Sequence, residues 1–268
     1  MTKTCNGGGP SVPAVNYLSD EVARGFDLRG FVSPERTERM VRLITRLVGK
    51  QPSRLLDIGC GTGRFSIPLA LSLEDCTVFG ADKSERMLAE ARQKSDSDRV
   101  IWVQEDVSNQ SFADNTFDVV FISDLLHHLD CPVDALRECH RILRPGGWLI
   151  SKYGAMEHIV NDPEHKFFEG TIAVDQARTP TMESMVSWIT SAGFTNVDSK
   201  TENERTRHNG KLRVAAAEAK SISVLHLIEN KQFAEGLERL RAYVHDHPDD
   251  EWLLLDPTTF TWAQKPTQ

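Results

Sequence analysis

Three acids that each close a short apolar run, Asp57, Asp82 and Asp106, are the residues whose type and spacing point most directly to chemistry. The first stands in Leu55-Leu56-Asp57-Ile58-Gly59-Cys60-Gly61-Thr62-Gly63, an apolar strand running into three alternating glycines that open a helix. Such glycines let a ligand lie against bare backbone, and the unpaired N–H groups of a helix start attract a carboxylate or phosphate. No Gly-Lys-Ser or Gly-Lys-Thr follows, which disfavours ATP phosphate transfer. Asp82 ends the run Val78-Phe79-Gly80-Ala81-Asp82. It lies about 20 residues beyond the glycines, where dinucleotide folds keep an acid for the ribose hydroxyls. The same acid also suits the first turn of a helix, where it complements the dipole. Asp106 follows the run Val100 to Gln104 and can accept from an exocyclic amine, with Val107 and Met87 as apolar walls for a ring.

The elements that must hold these acids follow from the pattern around them. From Arg54 to Gly154, apolar runs alternate with amphipathic segments, which predicts βαβ units around a parallel sheet. The strands are Leu55 to Ile58, Thr77 to Gly80, Val100 to Val103, Phe117 to Ile122 and Trp148 to Tyr153. Gly63 opens the first intervening helix, Ser84 caps the second and Pro132 begins the one running to Leu143. Pro145-Gly146-Gly147 fits a type II turn. Ahead of the sheet, Ser33 and Pro34 start a helix carrying Met40, Val41, Ile44, Leu47 and Val48. Behind it, residues 155–180 lack a period and read as a lid-like connection. Thr181 to Gly193 reads as a helix, and strands follow near Thr195 to Ser199 and Thr258 to Trp262. Between those strands lies a helical cap with Phe233, Leu237, Leu240 and Tyr243 on one face.

Composition narrows the partners. The 268 residues carry 31 Lys and Arg against 39 Asp and Glu, a formal charge of -8, so the surface as a whole repels phosphate backbones and no nucleic-acid partner is expected. Cys5, Cys60, Cys76, Cys131 and Cys139 show no CxxC spacing and read as reduced thiols of a cytoplasmic protein, with no metal site. The polar, glycine-rich residues 1–15 offer no signal peptide and no membrane span.

Taken together, these motifs resemble those of the class I S-adenosylmethionine-dependent methyltransferases, in the small-molecule, type 11-like branch, over about residues 54–154. Asp57 to Gly63 is similar to the family's first motif, Asp82 to its ribose-binding acid and Asp106-Val107 to its adenine contact. Phe117-Asp118-Val119-Val120-Phe121-Ile122-Ser123-Asp124-Leu125-Leu126-His127-His128-Leu129 resembles the fourth-strand motif, and Arg141 to Gly147 the turn before strand five. The resemblance implies an α/β, Rossmann-like, seven-stranded, mostly parallel sheet of order 3214576 with strand 7 antiparallel, helices on both faces and a helical substrate cap. It divides the chain into 1–53, tail and cap helices; 54–154, cofactor core; and 155–268, the rest of the same domain with cap insertions and the last two strands. It implies S-adenosylmethionine as cofactor, S-adenosylhomocysteine as product, and contacts from Asp57, Gly59, Cys60, Gly61, Gly63, Asp82, Lys83, Met87, Asp106, Val107 and Ser123.

The implied reaction is direct, in-line methyl transfer to a small-molecule acceptor. Holding nucleophile and methyl in line can supply roughly 7 to 11 kcal/mol, and no metal is required. Where a proton must leave, His127, His128, Asp124 and Tyr17 are the candidate bases, with Tyr153 and His158 able to reach in from flanking segments. Adjacent His127 and His128 are expected to point apart. The absence of an Asn/Asp-Pro-Pro-Tyr run disfavours planar amines of DNA or protein, and Phe26, Phe31, Phe167 and Phe168 fit an apolar or flat acceptor as well as they fit plain core. Two other readings share the glycine turn: an NAD(P)-dependent oxidoreductase, against which stands GxGxG spacing in place of GxGxxG, and a non-catalytic S-adenosylmethionine-binding module. The acceptor, the atom methylated and the oligomeric state are not legible in the sequence.

Overall fold

The computed structural model describes residue 15, residues 33–207 and residues 209–267. Its first helix, α1 (Pro34–Val48), starts where the Ser33 hydroxyl accepts the Arg36 amide at 3.1 Å, and ends at Gly49 with φ 73. The start is the expected one. Met40 and Ile44 on its inner face are buried, each contributing roughly 1.5 to 3 kcal/mol by leaving water.

The sheet comprises β1 (Arg54–Ile58), β2 (Thr77–Asp82), β3 (Val100–Gln104), β4 (Phe117–Ser123), β5 (Leu143–Tyr153), β6 (Thr195–Arg207) and β7 (Leu253–Gln264). Its order is β3-β2-β1-β4-β5-β7-β6, with β7 antiparallel to both β5 and β6, as the motifs implied. Between the strands run α2 (Ser66–Ser72), α3 (Glu85–Arg92) and α4 (Pro132–Ile142). Strand order reverses between β1 and β4, the switch point where open α/β sheets hold ligands at the carboxyl ends of their strands.

Alternation along the central strands sends Leu55, Val78, Val119, Phe121 and Ile150 to the face covered by α1 and α2. Leu56, Ile58, Phe79, Val120 and Leu149 pack on the other face with α4 and with α8 (Met182–Ser191). Burial on both faces explains why these strands read as unbroken apolar runs. Thr181 caps α8 and Gly146 takes the positive φ, 79, that was expected of it, but Pro145 to Gly147 lie within β5 and not in a turn ahead of it.

Residues 155–180, read as a lid-like connection without a period, fold into α5 (Met156–Ile159), α6 (Glu164–Phe167) and α7 (Thr171–Arg178). The cap between β6 and β7 holds α9 (Gly210–Glu218) and α10 (Asn230–Asp246). These two segments share a core of their own, with Phe168 stacked on Phe233 at 5.9 Å and packed with Leu225, Leu240 and Trp252. The strands that carry the cap run further than the short segments expected, because the β6–β7 pairing continues to Arg207 and Leu253.

Candidate active site

Strand register brings the expected acids to neighbouring strand tips. Asp57 pairs with Gly80, and Asp82 with Gln104, one step short of the turn that carries Asp106. The carboxylate of Asp82 faces the glycine turn: Oδ2 accepts the Gly61 amide at 2.9 Å and Oδ1 the Ser84 amide at 2.8 Å. Asp82 therefore ties the turn after β1 to the start of α3, which joins the ligand and helix-start readings in one residue. Burial raises its pKa, in spite of the Ser84 and Gly61 amides.

Asp57 is buried beneath the turn. Its Oδ2 accepts the Ser66 hydroxyl at 2.5 Å, while Oδ1 is enclosed with no hydrogen-bond partner. Burial pushes the carboxyl up to about 7 against the pull of Ser66, and the charge of Asp82 adds to the rise. A buried acceptor without a donor costs about 1 to 3 kcal/mol.

The glycines turn out to be demanded from within as well. A Cβ on Gly59 would stand 2.6 Å from Leu125, and one on Gly63 would collide with the Trp102 ring. Gly59, Gly61 and Gly63 all take positive φ, at 73, 55 and 76. Trp102, on β3 opposite Gly80, lies across the turn and fixes itself by donating Nε1–H to the Ser97 carbonyl at 2.9 Å. The helix after the turn begins at Ser66 and not at Gly63; residues 60–65 form tight turns, with the Gly63 amide bonded to the Cys60 carbonyl. Cys60 is buried, and burial holds its thiol well above the ordinary range.

Asp106 is more open. Burial pushes its carboxyl up, but the Ser108 amide and the Lys83 ammonium, 3.0 Å away, outweigh that and hold it below the ordinary carboxylate value. Lys83, expected to touch a cofactor, is two-thirds exposed and paired to Asp106. Val107 and Met87 are buried.

At the tip of β4, Asp124 takes the left-handed region at φ 50, and its carboxylate is 2.6 Å from the Lys152 ammonium on β5. Lys152 escaped the sequence reading, although a lysine inside the apolar run Trp148 to Tyr153 was the available signal. It is 9% exposed, and burial lowers its pKa; Asp124 opposes that, and the charges of Arg64 and Arg36 add to it. Asp124 is thus engaged by a cation and is not poised as a free base. His127 and His128 follow in a 3-10 turn with ring centroids 3.9 Å apart, tilted by 46°, so the rings lie side by side instead of pointing apart.

Other candidate residues have partners within the fold. The Tyr153 hydroxyl is bound to Thr261 at 3.1 Å inside the sheet, and His158 Nε2 lies 3.4 Å from Thr201 Oγ1. Phe167 and Phe168 belong to the cap's own core. Cys60, Cys76 and Cys139 are free thiols, but Cys131 is disulfide-bonded, so the chain is not fully reduced. Tyr17, Phe26, Phe31 and Cys5 lie outside the described residues. Among the described residues, no helix is long and apolar enough to cross a membrane, and no cluster of three His, Cys, Asp or Glu side chains could hold a metal.

An open sheet in this order, with a glycine turn and acids at the tips of β1, β2 and β3, defines the class I methyltransferase fold. Residues 56–151 match the type 11 methyltransferase domain. Over 232 residues, 81% of this chain and 83% of the relative, it is 29% identical to 27-O-demethylrifamycin SV methyltransferase of Amycolatopsis mediterranei. Over 137 residues it is 31% identical to the ubiquinone/menaquinone biosynthesis C-methyltransferase UbiE of Desulfotalea psychrophila, covering 50% of this chain and 56% of that one. Phosphoethanolamine N-methyltransferase 2 of Haemonchus contortus, solved with S-adenosylmethionine, superimposes with a TM-score of 0.60 at 20% identity, over 94% of this chain and 58% of that one. The chain thus spans little more than half the length of the last two. Methyl transfer, and not hydride transfer, is the chemistry these relatives share.

Proposed function

We propose that this chain moves the methyl group of S-adenosylmethionine onto a small-molecule acceptor by direct in-line displacement. The observation that carries this reading is Asp57 Oδ1, a fully buried acceptor without a hydrogen-bond partner beneath the glycine turn. A cationic amino acid with a nucleoside attached supplies the donor that this atom lacks. On this reading Asp57, Gly59, Cys60, Gly61, Gly63 and Ser123 hold the amino-acid end. Asp82 holds the ribose, and Asp106 with Lys83, Met87 and Val107 holds the base.

When bound, the cofactor supplies a methyl already activated on a sulfonium. The chain's residues orient the acceptor, exclude water beneath the cap, and accept any proton that leaves. With Asp124 paired to Lys152, the paired imidazoles of His127 and His128 are the preferred proton acceptors. The division into 1–53, 54–154 and 155–268 belongs to the same reading, supported by the separate hydrophobic cluster of the cap. So does a cytoplasmic location, which the free thiols of Cys60, Cys76 and Cys139 support and the bonded Cys131 opposes.

A thermal-shift titration tests the cofactor: S-adenosylhomocysteine raises the melting temperature and NAD does not, whereas the reverse would point to an oxidoreductase. Transfer of label from methyl-labelled cofactor into small metabolites of an extract tests turnover, and no labelled product would leave only a binding module. Asp82→Asn is expected to weaken S-adenosylhomocysteine binding by about 1.5 to 3 kcal/mol, through lost charge-assisted bonds to ribose and to the Gly61 amide. Calorimetry showing unchanged affinity would place the ribose contact elsewhere.

A further inference from the structure

Away from the strand tips, α1 and the outer strands β7 and β6 enclose a groove of about 410 Å³. Small-molecule sites commonly occupy roughly 300 to 1,000 Å³. Its floor is apolar, formed by Leu43, Phe260 and Trp262, and its rim carries Arg39, Arg42, Arg46 and Lys200. Phe260 pairs with Lys152 on one side and with Lys200 on the other, which sets this aromatic strand between two lysine-bearing neighbours.

The charge is locally inverted. On a chain of formal charge -8, four cations line the groove with one carboxylate, Glu202. Glu202 lies 3.1 Å from Arg39 and 2.9 Å from Lys200, and Glu38 lies 2.5 Å from Arg42. Arg46 stands with its guanidinium carbon 5.6 Å from the centre of the Trp262 ring, and among the described residues no carboxylate is within ion-pair distance of it. The Arg42 and Lys200 side chains are 64% and 63% exposed, so an incoming anion meets them first. Trp262 and Phe260 are recessed, at 7% and 4% exposure, which suits a small molecule entering a slot and not a bilayer that needs protruding apolar side chains.

We propose that this groove is a second ligand site, separate from the glycine turn, that takes a small flat organic anion such as an aryl carboxylate or sulfonate. Arg46 and Arg42 hold the charged group, in the paired N–H geometry that guanidinium offers to planar oxyanions, and the ring rests on Leu43, Phe260 and Trp262.

Calorimetry of the full chain with naphthalene-2-sulfonate, and with the neutral naphthalene-2-sulfonamide, tests it. The expected result is one saturable site for the sulfonate, about tenfold weaker for the sulfonamide and about tenfold weaker in Arg46→Gln, while S-adenosylhomocysteine affinity is unchanged in that variant. Saturating S-adenosylhomocysteine should leave sulfonate binding intact. Equal affinity for the two probes, full affinity in Arg46→Gln, or displacement by S-adenosylhomocysteine overturns the proposal. So does charge-dependent binding to phosphatidylglycerol vesicles with no binding of the sulfonate.

Discussion

Gly63→Ala is expected to destabilise the protein by about 2 to 5 kcal/mol, the largest effect of any single methyl group in the glycine turn. Two costs add. A residue with a Cβ loses roughly 1 to 2 kcal/mol in the left-handed region, and Gly63 sits at φ 76. The new methyl also meets the Trp102 ring directly, and overpacking of that kind costs typically about 1 to 3 kcal/mol. The two are separable. In a Trp102→Leu background the same substitution should cost only the backbone part, a difference that urea unfolding of the four variants measures. Equal cost in both backgrounds would mean that Trp102 does not press on the turn.

The second large effect is a pH dependence of stability centred on Asp57. Its carboxyl titrates at about 7 in the folded chain against an ordinary value of 3.8. Between those values the folded state holds a proton that the unfolded state has released, so this group favours folding at low pH and loses that contribution as pH rises. The stability difference between wild type and Asp57→Asn should fall by about 1.4 kcal/mol per pH unit from pH 5 to 7, then level above pH 8. Comparing the two proteins cancels the opposite slopes of carboxyls held low, such as Asp106. A flat difference across that range would show that Asp57 is already ionised in the fold. S-adenosylhomocysteine, by supplying a donor to Oδ1, should flatten the curve.

Much of this arrangement was legible in the chain because parallel strands are buried on both faces. Leu55 to Ile58, or Phe117 to Ile122, stands out as an apolar run wherever it occurs. The capping residues Ser33, Ser84 and Thr181 act through local bonds, which local sequence can display. What escaped depends on distance along the chain. Lys152 meets Asp124 only because β5 lies beside β4, and Trp102 reaches Gly63 only because β3 and β2 bring it over the turn. The short helices α5 and α6 have one turn each, too few residues for a period to appear. The outer arm of β6 is polar along Thr201 to Arg207, so it lacks the alternation that marks a half-buried strand.

The position of the cap between two adjacent antiparallel strands carries an evolutionary consequence. Residues 209–252 interrupt the chain where it would otherwise make a hairpin, and the paired arms already bring the two ends of that stretch together. An insertion there adds little closure entropy however long it grows. The stretch can therefore lengthen or shorten while the pairing of β6 with β7 and the sheet behind it stay as they are.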